Sequence, residues 1–82
     1  MLPDEVWSAL AGTQAEHPTL RAVLHIAQDR YVQHMQQAQQ MARDNPKRAE
    51  HLERAWEMAE FIQQVENDRE QAPEMVRRKA LV

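Results

Sequence analysis

Placing the residues from Pro18 to Arg43 at intervals of about 100° gathers Leu20, Val23, Leu24, Ala27, Tyr31, Met35, Ala38, Met41 and Ala42 into an arc of roughly 120°. That pattern predicts a long amphipathic helix over residues 18–43. A second periodic stretch, from Pro46 to Gln71, collects Leu52, Ala55, Trp56, Met58, Ala59, Ile62 and Val65 on one side with Phe61 near the edge. Its apolar arc is on the order of 200°, wider than one neighbouring helix covers. Between the two stretches, Asn45-Pro46 is a break and a start together. Proline disfavours helical geometry in the residue before it and suits the first helical position, and asparagine is a favoured N-cap. A connection of two to four residues is expected here, giving an antiparallel hairpin.

The ends of the chain add smaller elements. Pro3 to Ala11 reads as a short helix carrying Val6, Trp7 and Leu10, with Gly12 as its C-terminal cap and a loop to His17. Pro73 is expected to end the long third helix, leaving residues 74–82 as a brief last helix or a basic tail. The fold class is therefore all-α: one small domain over residues 1–82, a hairpin with a short N-terminal helix and a short C-terminal segment.

Composition turns this fold toward association. Leu, Ile, Val and Phe occupy fifteen of the 82 positions, under the one-fifth share that marks a weak core, while twelve Ala and five Met swell the apolar total. A hairpin this poor in large side chains is expected to be completed by oligomerisation or by a larger protein assembly. Tyr31, Met35, Trp56, Phe61, Ile62 and Val65 are the expected interface residues, because large apolar side chains dominate interface energetics. Gln28, Gln33, Gln36, Gln37, Gln39 and Gln40 leave the outer face of the second helix polar but uncharged from residue 32 to 42, which eases its desolvation.

Net charge is −3, and it is laid down in blocks. Residues 1–20 carry three acids and no base, residues 21–49 five bases against two acids, residues 50–74 eight acids against two bases, and residues 75–82 three bases. The middle blocks favour antiparallel packing on one another, as a bias on register and partner choice more than a stabilising force. Glu50, Glu53, Glu57 and Glu60 form an acidic stripe opposite the apolar arc, and Arg77, Arg78 and Lys79 a basic terminus suited to an acidic protein surface. Acidic chains lack the broad cationic footprint of nucleic-acid binders. The basic residues Arg43, Lys47 and Arg48 at the turn come without interleaved aromatics, so nucleic acid is the weaker reading.

Little else in the chain carries chemistry. Cysteine is absent and glycine occurs once, excluding disulfides, thiol catalysis, Cys-ligated zinc and Gly-rich phosphate loops. Ser8, Thr13 and Thr19 have no triad setting. His34 falls within the apolar arc of the second helix, where a hydrogen-bonded core histidine is expected; His17 reads as a loop or cap residue and His51 neighbours Glu50. His25 and Asp29 share a face but make only two ligands, and the pairs Glu50/Glu53 and Glu57/Glu60 read as a solvated surface. No catalytic residue, metal, cofactor or small-molecule substrate is expected. A membrane span is not expected either, and Met1-Leu2-Pro3-Asp4-Glu5 places acids where a signal peptide needs bases.

The segment His17-Pro18-Thr19-Leu20-Arg21-Ala22-Val23-Leu24, followed by a hairpin with an Ala- and Glu-rich second arm, resembles small helical proteins of tailed-phage structural gene modules over residues 17–66. Those proteins often look Asn-Ala-Gly-like in the second arm, where this chain reads Ala49-Glu50-His51-Leu52 and departs from them. The resemblance implies a multi-copy virion or morphogenesis component, cytoplasmic in the host cell or particle-associated. Two other functions fit the residues: a monomeric acidic adaptor or inhibitor acting through Glu53, Glu57 and Glu60, and a small nucleic-acid binder using the basic turn and tail.

Overall fold

A computed structural model describes residues 2–81 as three helices: α1 (Asp4–Ala11), α2 (Pro18–Gln39) and α3 (Pro46–Ala80). The starts of α2 and α3 are written in cap chemistry. The His17 ring accepts a hydrogen bond at Nδ1 from the Thr19 backbone N–H (3.3 Å), with Pro18 as the first helical residue. Asn45 repeats the device, its Oδ1 accepting from the Lys47 N–H at 3.0 Å ahead of Pro46. Gly12 caps α1 with an ordinary right-handed backbone (φ −84°), and the Thr13 hydroxyl donates to the Ala9 carbonyl oxygen at 2.7 Å.

Two expected boundaries are corrected. The second helix stops at Gln39 rather than residue 43, and residues 40–45 form the connection, longer than the two to four residues expected. Asp44 and Asn45 are turn formers and Asn45 precedes a proline, so the chain leaves the helix early enough to re-aim itself at Pro46. The larger correction concerns Pro73. It lies inside α3, which runs unbroken for 35 residues to Ala80, so residues 74–80 of the expected separate segment are the last turns of the same helix, and Val82 lies outside the described residues. Proline forfeits one helical hydrogen bond, but packing beyond it outweighs the loss: Ala72 is completely buried, and Met75 and Val76 are half-buried. Arg77, Arg78 and Lys79 also sit in the last turn, where cations favour the helix dipole.

Helices α1 and α2 both pack on α3. His34 of α2 meets His51 near the start of α3, while Asp4 at the start of α1 meets Lys79 near the end of α3. Both short helices thus run antiparallel to α3, one after the other. The molecule is a single hairpin with one continuous arm and one arm interrupted at residues 12–17. It measures 55 × 25 × 14 Å, close to the roughly 52 Å expected of a 35-residue helix on its own. The acidic start of the chain faces the basic end of α3, where Asp4 meets Lys79, and α2, with Arg21 and Arg30 against Asp29, packs on the largely acidic α3.

The seam follows a coiled-coil repeat. On α3, Arg48, His51, Ala55, Met58, Ile62, Val65, Arg69, Ala72 and Val76 recur at alternating steps of three and four, and all are shielded at least in part. Leu20, Leu24, Ala27, Tyr31, His34, Ala38 and Met41 do the same along α2 and its connection, with Tyr31 at the exposed edge. The tightest contacts are all alanine: Ala27, Ala38, Ala55 and Ala72 are between 0 and 5 % exposed, and no large side chain is fully buried among the described residues. Alanine at these positions lets the helix axes approach, and the larger side chains are left along the two flanks of the seam.

Candidate functional site

One flank gathers apolar residues from both arms. Val23, Ile26 and Ala27 of α2, with Met58 and Phe61 of α3, line a shallow concavity edged by Arg30. Ile26 is 54 % exposed, Phe61 44 % and Val23 43 %, well above what side chains of this type show in a closed core. Trp56 is exposed further, at 66 %, and borders a separate depression with Ala59, Glu60 and Gln63, all from α3. Its indole N–H donates to Glu60 Oε1 at 3.0 Å, which holds the ring along the helix surface.

The expected interface residues therefore divide. Trp56 and Phe61 are exposed, and Tyr31 sits at the exposed edge of the seam. Met35, Ile62 and Val65 are half-buried, with Ile62 and Val65 on the seam itself. Ile26 and Val32, 54 % and 46 % exposed, were not among the expected contacts. Ile26 lies outside the apolar arc of α2, and an isoleucine placed off the buried face was the signal available in the sequence.

The charged candidates are exposed, and several are already paired. Glu50, Glu53, Glu57 and Glu60 line the outer surface, Glu60 engaged by Trp56. Arg77 and Arg78 both donate to Glu74 of their own helix, and Lys79 lies 2.6 Å from Asp4. The hydrogen bond from Arg77, helped by the Arg78 charge, holds the Glu74 carboxyl below its ordinary range. These pairs are solvent-exposed and contribute little to stability. Glu50 and Arg54, four apart on α3, form no ion pair among the described residues. Asp29, which shares a face with His25, accepts from the Gln33 side chain at 2.8 Å. Among the described residues no three His, Asp or Glu side chains converge as a metal site, and no helix is long and apolar enough to cross a membrane.

Among the described residues His34 and His51 make the one side-chain hydrogen bond across the α2–α3 seam, Nδ1 to Nδ1 at 3.0 Å with the ring centroids 5.3 Å apart. One Nδ1 must carry a proton and the other offer its lone pair.

No protein-family model matches the chain, and comparison with characterised proteins and with solved structures likewise finds no match.

Proposed function

We propose that this protein is a non-enzymatic helical assembly component, a short rod whose exposed apolar flanks associate with other protein surfaces. Its setting, in this reading, is a multi-copy phage particle or an intermediate in building one. The observation that carries the associating role is surface area. The chain exposes 6568 Å², against about 5,100 Å² expected for a folded monomer of 9.6 kDa. Its radius of gyration is 16.7 Å, where a compact domain of this length has about 12 Å. Among the described residues only alanines are fully buried, and Val23, Ile26, Val32, Trp56 and Phe61 stay exposed for other contacts. The phage setting rests on the resemblance over residues 17–66 and on the many-copy logic of small associating rods.

Light scattering across a concentration series, paired with quenching of Trp56 in a Trp7→Phe background, tests this reading. The expected result is a mass above 9.6 kDa at micromolar concentration, with Trp56 quenching that depends on concentration or on an added partner. A cooperatively folded monomer with Trp56 shielded at every concentration would overturn it.

A further inference from the structure

Resting on that associating role, we infer that the flank built by Val23, Ile26, Met58 and Phe61 binds a second copy of the same chain, with α2 of each copy lying on α3 of the other in a four-helix bundle. Area makes a second copy a sufficient occupant. The exposed surface exceeds that of a compact monomer by about 1,500 Å², and a standard interface removes about 800 Å² from each partner. This flank draws apolar residues from both arms, so a facing hairpin here covers both helices at once; the Trp56 depression is lined from α3 alone.

Charge selects the orientation. Two two-fold arrangements bring this flank onto itself. With the axis across the rod, α3 meets α3 and α2 meets α2, setting the eight acids and two bases of residues 50–74 against their own copy, and the basic block against its own. With the axis along the rod, the two acidic stretches are parted and each lies on α2, whose Arg21 and Arg30 stand against Asp29 alone. Like-charge juxtaposition penalises the first, and complementarity favours the second. Rotation about the long axis keeps every residue at its own level. Arg30 lines the same concavity as Met58, so it meets Glu57 of the second copy at the rim. The isologous symmetry forms that contact twice.

Cysteine is absent from the chain, so introduced thiols report without interference. Arg30→Cys and Glu57→Cys change only the rim and leave the apolar patch whole. Mixed in equal amounts and oxidised, they should give roughly tenfold more mixed disulfide than either variant gives with itself, because bridging requires thiols brought within a few ångströms. Phe61→Glu, at an exposed position, should abolish the mixed disulfide and weaken dimerisation tenfold or more while leaving the helical circular dichroism intact, as expected for an interface anchor. Self-disulfides dominating either single variant would overturn the orientation. Dimers by light scattering with no disulfide in any mixture would overturn the flank while the associating role stands. A monomer that captures a different protein through Phe61 overturns the second copy as occupant, and a shielded, non-associating monomer overturns the role as well.

Discussion

Ala55→Leu is expected to destabilise the hairpin by about 2–3 kcal/mol, because the added carbons enter a seam where the two helix backbones have no room to part. Ala55 is 1 % exposed, as is Ala38 on the facing arm. The overpacking cost is therefore borne by a shift of α2 away from α3, which loosens contacts from Leu20 to Met41. For a domain of this size the melting temperature should fall by roughly 10–20 °C. Because association feeds into apparent stability, variant and parent must be compared at one protein concentration. Ala22→Leu, on the exposed side of α2, is the control and should change stability by no more than about 0.5 kcal/mol. If Ala55→Leu melts with the parent, the alanine seam is not tight and the account of the core given above is wrong.

Pro73→Ala is expected to do the opposite. Proline in a helix interior costs about 3 kcal/mol relative to alanine, and here the lost bond is the one Arg69 would receive from the residue-73 N–H. Against this, alanine frees the unfolded chain by about 0.4–1 kcal/mol, so a net gain near 2 kcal/mol should remain. Urea unfolding reads the total. Amide exchange over residues 70–80 localises it, and slower exchange should appear there ahead of the α2 region. A destabilised variant would mean that α1 docks on a bend that only proline supplies.

The two variants probe the places where local sequence signals and the final packing agree and disagree. Cap chemistry at His17-Pro18, Asn45-Pro46 and Gly12 was legible because the partners lie within a few residues, and so were the helical class and the hairpin. The reach of α3 was not, because the local rule about proline competes with a seam visible only at a period of seven: Ala55, Ile62, Arg69 and Val76 carry the repeat straight past residue 73. The His34–His51 contact was hidden for a different reason. Pairing across a hairpin depends on the length of the turn, and a connection over residues 40–45 sets another register than the shorter one expected. For the flank, the wide apolar arc of α3 correctly implied more surface than one helix covers. It did not distinguish Phe61, which is outside the seam, from Ile62 and Val65, which are in it, since neighbouring positions on so broad an arc differ only once a partner axis is fixed.

The interrupted arm also has a mechanical meaning. The register set by His34–His51 and Asp4–Lys79 brings the 12–17 break level with the stretch from Arg69 to Pro73, where α3 lacks a hydrogen bond of its own. Both arms are thus weakest at the same height. Flexure of the rod concentrates there, dividing it into a long lever backed by α2 and a short one backed by α1, so that a structure built from such rods would yield at a defined joint while the α2–α3 contacts stayed rigid.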